Sequence, residues 1–165
     1  MLRFAELFAF CDLHTSRWRG HPVMRGFLTS GPQYYDRQGF PIPGTDDDPM
    51  TACLEWARRR EAATYEEVCV ARDEFPDGSY LSTVWIGLNH AFMGPPLIFE
   101  TMYFSSEIEA FVLPTGGTQY ARPSLEFPDP QNDGELTEQI RYTTEEEAAA
   151  THREIARRLR KRWEV

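Results

Sequence analysis

The side chains most able to do chemistry in this sequence gather between Ser82 and Phe104. That stretch carries Thr83, Trp85, Asn89, His90, Phe92, a Gly94-Pro95-Pro96 bend and then Glu100. An asparagine, a histidine and an aromatic ring on one loop, beside a carboxylate within an apolar strand, suit a polar planar ligand. Aromatic rings stack on bases, while Asn and Glu read base edges or ribose hydroxyls. Trp85 and Phe92 serve equally well as plain core residues. Arg141 lies just before the last helix, where its fork and the helix dipole would suit a phosphate. Its bland alternative is a surface salt bridge. For Glu100 the expectation is a structural role: paired with an arginine, or held by the backbone and His90 of the preceding loop.

Other combinations carry less. Cys11-x-x-His14 with His21 lacks a second pair at zinc spacing. His14-Thr15-Ser16 gives one half of a His-x-Ser/Thr phosphoesterase signature, and no other histidine supplies the second half. Asp46-Asp47-Asp48 reads as a solvated turn with a helix cap, not a metal site. His152 falls on an apolar helical stripe and reads as a hydrogen-bonded core-boundary residue. No nucleophile–base constellation emerges, so binding without catalysis is expected, with no cofactor and no metal. The 17 basic residues include one lysine, Lys161, within a terminal charge cluster. That excludes a P-loop, which needs its lysine after the glycine-rich turn. It argues equally against a Schiff-base lysine.

These residues need elements to position them. Asp48-Pro49 signals a helix start. Met50, Cys53, Leu54 and Ala57 share one face of the helix that follows, and Arg58, Arg59 and Arg60 suit its C-terminal end. Tyr65–Phe75 and Tyr80–Leu88 read as strands of a hairpin about the Pro76-Asp77-Gly78 turn. Leu97–Phe104 reads as another strand, with Glu100 on the side of Ile98, Met102 and Phe104. Residues 105–139 look like a long acidic insertion, and Ile140–Tyr142 like a short strand. Thr144-x-x-Glu147 is a capping box. It opens a helix whose glutamates begin it and whose arginines end it, with Ala148, His152, Ile155, Leu159 and Trp163 in one stripe. The predicted fold is α+β: an antiparallel sheet packed against two helices, carrying a long acidic loop insertion. Residues 1–31 form an N-terminal arm, with Met24 as an alternative start, and residues 32–165 a single ligand-binding domain.

Composition sets the outer bounds. A chain of 165 residues with 41% hydrophobic and 13% aromatic content can bury a core. A net charge of −9 disfavours duplex nucleic acid and anionic membranes as partners. No run approaches a membrane span, and Met1–Phe10 makes a poor signal peptide. Three widely spaced cysteines fit a reducing cytoplasm.

Three segments resemble a widespread family of small phage and prophage proteins. They are Leu81–His90 (LSTVWIGLNH), Gly94–Phe104 (GPPLIFETMYF) and Arg141–Ala148 (RYTTEEEA). The family pattern runs S-T-V-[FW]-L-G-L-[DN]-H, G-P-P-L-[IL]-F-E-T-M-x-F and R-Y-S-T-x-E-E-A-x-x-x-H, with His152 as the final histidine. Tyr34-Tyr35-Asp36-Arg37 and Leu54-Glu55-Trp56-Ala57 fit its N-terminal part. The resemblance covers about residues 33–155, and the insertion at 105–139 is longer than usual. The pattern is similar to that of the phage anti-Thoeris sponges, which sequester cyclic ADP-ribose isomers made by TIR-domain immune enzymes. This resemblance implies an anti-defence protein in the bacterial host cytoplasm, a homo-oligomer of two or more copies. It would hold a nucleotide-derived signal (a cyclic ADP-ribose isomer or a cyclic oligonucleotide) without cleaving it, by aromatic stacking and arginines. Arg37 and Arg141 are the arginines that the matched segments offer. The alternatives are direct inhibition of a host protein and a weak phosphodiesterase.

Overall fold

The computed structural model describes residues 33–43, 49–91, 93–112 and 117–164. The first helix, α1 (Pro49–Ala62), is followed by a single turn, α2 (Tyr65–Val68). Thr64 caps α2 from its side chain while Glu67 reaches back to the Thr64 backbone, closing a capping box. This reciprocal cap turns Tyr65–Val68 into helix, where β-propensity had suggested strand. The first strand, β1, therefore starts only at Cys69 and runs to Glu74.

The central sheet continues with β2 (Tyr80–Trp85) and β3 (Phe99–Phe104), both antiparallel to their neighbours. The far edge of β3 is shared. Phe99–Met102 pair with β9 (Gln139–Tyr142), and Tyr103–Phe104 pair with β6 (Ser124–Leu125). β2 stops at Trp85 because both Ile86 and Gly87 donate to the single carbonyl of Ile98, which ends the regular ladder. Gly87 sits at φ +68, and a Cβ there would come within 2.6 Å of the Trp85 ring and 2.8 Å of Trp56. Only glycine meets both demands at once.

The C-terminal helix, α3 (Glu145–Arg160), lies across the sheet. Thr144 caps it by accepting from the Glu147 N–H. Ala148, Ile155 and Leu159 are buried with Leu81, Phe99, Tyr103, Ile140 and Tyr142 in one core. Past α3 a 3₁₀ turn places Trp163 flat on Phe75, 5.1 Å between centroids, and Phe75 meets the edge of Tyr103. Stacked and edge-on pairs of this kind add to the area they bury. The stripe expected from the sequence is thus the one the helix uses. The architecture is the predicted antiparallel α+β sheet with two principal helices.

The first helix is rolled relative to its predicted orientation. Met50 and Leu54 are exposed at 61% and 62%, whereas Arg60 is buried at 6%. The inward face is set by hydrogen bonding: Trp56 Nε1 donates to the Ile86 carbonyl and Arg60 Nη1 to that of Trp85. These carbonyls lie where the β2 ladder fails, and satisfying them outweighs burying two more aliphatic chains.

The expected insertion divides. Residues Glu109–Ala121 separate from the unit formed by Pro32–Ile108 and Arg122–Val165. They form a hairpin of their own, β4 (Glu109–Val112) with β5 (Thr118–Ala121). Residues 122–139 instead belong to the main unit. They supply β6 and a small hairpin of β7 (Phe127–Pro128) and β8 (Leu136–Thr137), anchored by fully buried Phe127. No described helix is long and apolar enough to cross a membrane.

Candidate functional site

Strand register brings together two residues that are 41 apart in sequence. Glu100 on β3 faces Arg141 on β9, and Arg141 Nε donates to Glu100 Oε2 at 2.8 Å. Nη2 of the same fork donates to Gln139 Oε1 at 3.1 Å. Nη1 has no partner among the described residues. The pair is only partly shielded, with side-chain exposures of 27% for Arg141 and 15% for Glu100. It lies on the sheet side of Met102 and Phe104, opposite Thr101, which faces α3. Of the two roles foreseen for Glu100, pairing with an arginine is the one the fold provides.

His90 belongs to the same neighbourhood. Burial and the positive Arg141 push its pKa down from 6.5 to about 4. The residue as a whole is exposed, so the repulsion from Arg141 is the firmer of the two causes. Both act in one direction, and the imidazole is neutral at pH 7. Asn89 holds the loop shut: its Oδ1 accepts from Ala91 and Leu97, and its backbone N–H donates to Gln33. Phe92 lies outside the described residues.

The other residues expected at a site serve elsewhere. Trp85 is in the core at 5% exposure, with the Arg60 guanidinium carbon 5.5 Å from its ring centroid. Its ring is thus engaged by the protein itself. Arg37 forks onto Glu145 at 2.6 and 2.7 Å and also donates to the carbonyls of Glu67 and Cys69. It staples the 34–37 segment to α2 and the start of α3. Arg37 in turn holds the Glu145 carboxyl below its usual range. No described hydrogen bond joins Arg37 to Glu100 or Arg141. Cys11, His14, His21 and Asp46–Asp48 fall outside the described residues. Among those described, no group of three His, Cys, Asp or Glu could hold a metal.

His152 is the hydrogen-bonded core residue that its helical stripe suggested, but its partners were not legible in the sequence. His152 Nδ1 lies 2.7 Å from Thr83 Oγ1, and its Nε2 lies 3.0 Å from Asp73 Oδ2. Thr83 Oγ1 is 2.6 Å from Thr101 Oγ1, and Arg160 pairs with the other Asp73 oxygen. Carboxylate, imidazole and hydroxyl thus stand in the order of a hydrolase relay. Thr83 and Thr101 have no exposure and His152 has 1%, so no substrate carbon can reach the hydroxyl. Burial lowers the His152 pKa against the opposing pull of Asp73. The relay ties β1, β2, β3 and α3 together as a satisfied polar knot. Its members are 79 and 69 residues from His152, and no local pattern links them.

No family model, curated protein or solved structure matches the chain significantly.

Proposed function

We propose that this protein binds a phosphate-bearing, nucleotide-derived signal without cleaving it and thereby acts as a phage anti-defence sponge. The signal would be a cyclic ADP-ribose isomer or a cyclic oligonucleotide, as the resemblance of its motifs implies. The observation that carries the reading is the Arg141 fork. It is fixed in orientation by Glu100 and Gln139, partly accessible, and has one nitrogen without a partner among the described residues. Because Glu100 offsets much of its charge, recognition here would depend on directed N–H donation more than on net field. Neutral His90 adds a donor or acceptor without adding charge. Sequestration is favoured over hydrolysis because the His152–Thr83–Asp73 arrangement is sealed in the core.

The test is retention and recovery. The purified protein is incubated with cyclic ADP-ribose isomers and cyclic dinucleotides, filtered, then denatured, and the released nucleotide is analysed. Intact release from the wild type and loss of retention in Arg141→Ala support the reading. An altered product would make the protein a phosphodiesterase. Absence of retention would favour direct contact with a host protein. For that second reading the specific observation is exposed Phe40, Met50, Leu54 and Met93, at 61–84%.

A further inference from the structure

The hydrogen bonds around His152 have a direction, and the partners fix it. Nε2 lies 3.0 Å from Asp73 Oδ2, a carboxylate oxygen that accepts. Nε2 therefore carries the hydrogen of the neutral ring, and Nδ1 keeps the lone pair. Thr83 Oγ1, 2.7 Å from Nδ1, must then donate to it. That spends the single hydrogen of Thr83, so its 2.6 Å contact with Thr101 Oγ1 is donated by Thr101. In the neutral core the hydrogens run from Thr101 through Thr83 and His152 to Asp73.

A further hydroxyl stands at the start of this chain. The Tyr142 hydroxyl is buried and has no hydrogen-bond partner among the described residues, and Thr101 and Thr151 are its polar neighbours. An unpaired buried hydroxyl is costly, and the neutral chain makes no use of it. The reversed chain does. A proton on Nδ1 makes that atom a donor to Thr83. Thr83 must then donate to Thr101, and Thr101 must donate onward, where the Tyr142 oxygen can accept. One proton enters from solvent, each hydroxyl keeps one hydrogen, and no group in the chain is orphaned.

The surrounding charges permit this uptake. Asp73 on β1 favours the proton, while Arg160 and Arg153 of α3 oppose it. Toward α3, strands β2, β3 and β9 turn hydroxyls and apolar groups but no charged side chain. Lys161 and Arg162 of the 3₁₀ turn are exposed. Asp129 and Glu147 face the Tyr142 end.

We propose that Thr83, Thr101 and Tyr142 form a reversible hydroxyl chain, with Tyr142 as its terminal acceptor, through which His152 takes up a proton while α3 stays seated on the sheet. The chain is an acid-response device: the core gains a positive charge, paired with Asp73, and keeps its hydrogen bonds.

The test is nitrogen NMR of the full chain with labelled histidine, the His152 signals being those missing from His152→Gln. At neutral pH the wild type should show a hydrogen on Nε2 and none on Nδ1. On acidification His152 should gain its proton while circular dichroism still reports the folded chain. Tyr142→Phe removes the acceptor and no charge, since burial pushes the Tyr142 pKa up to about 12. Its Tm at neutral pH should not fall. Its His152 should bind a proton about tenfold more weakly and titrate about one pH unit lower, as the loss of one buried hydrogen bond requires. Thr101→Val should lower the titration too, and Thr101→Ser should keep that of the wild type. If Tyr142→Phe does not fold, the two Thr101 variants decide, and equal titrations in them overturn the proposal. So would a hydrogen on Nδ1 at neutral pH, a His152 that stays neutral until the chain unfolds, or an unmoved titration in folded Tyr142→Phe.

Discussion

Replacing Glu100 by glutamine isolates the electrostatic part of the Glu100–Arg141 pair while keeping its shape. The loss lies between two limits. An exposed ion pair contributes about 0–1 kcal/mol, and breaking a fully buried one costs about 3–5 kcal/mol. Exposures of 15% and 27% place this pair between them. Gln139 still accepts from Arg141, and water reaches the fork, so a cost of about 1–2 kcal/mol follows. For a chain of this size that corresponds to a fall in Tm of about 3–7 °C. Scanning calorimetry of the ligand-free protein reads it directly. A cycle with Arg141→Gln and the double variant should give a coupling of about 1 kcal/mol, since the two groups share one hydrogen-bonded contact. Additive single effects, or a Tm unmoved in Glu100→Gln, would refute the structural role. Lost nucleotide retention at unchanged Tm would show instead that Glu100 contacts ligand.

Thr83→Val should destabilise by about 2–4 kcal/mol in urea unfolding, because His152 and Thr101 each lose a buried partner. A change below about 0.5 kcal/mol would mean that the knot contributes little. Gly87→Ala should cost at least about 2 kcal/mol, through strain at φ +68 and collision with Trp85 and Trp56. Intact stability there would disprove that close approach. Stability should also fall as the pH drops below 6.5. The folded pKa of His152 is depressed by burial, so the unfolded state binds more protons in that window. His90, lowered to about 4, acts with the same sign. Urea midpoints between neutral pH and about pH 4.5 should show less loss in His152→Gln than in the wild type.

The sequence by itself determined what depends on short-range pattern. The capping box expected at Thr144 closes on one side only, since Thr144 accepts from the Glu147 N–H but the Glu147 side chain does not reach back. The rest of the last helix was legible: its cap residue, its acidic start and basic end, and the stripe from Ala148 to Trp163. All of these follow from the 3.6-residue period and the dipole. Strand alternation likewise placed Glu100 beside Met102 and Phe104, because side chains on a strand repeat every two residues. What the sequence could not fix was which partners those residues would find. The first helix turned Trp56 and Arg60 inward because two carbonyls at the failing end of β2 needed donors, a demand set by a strand some 25 to 30 residues away. Arg141 met Glu100 only through β3–β9 register, and Asp73 met His152 only through the packing of α3 on the sheet. Period and propensity act within a few residues. Hydrogen-bond demand and charge pairing act wherever the folded backbone brings atoms within 3 Å, and only the tertiary structure decides which atoms those are.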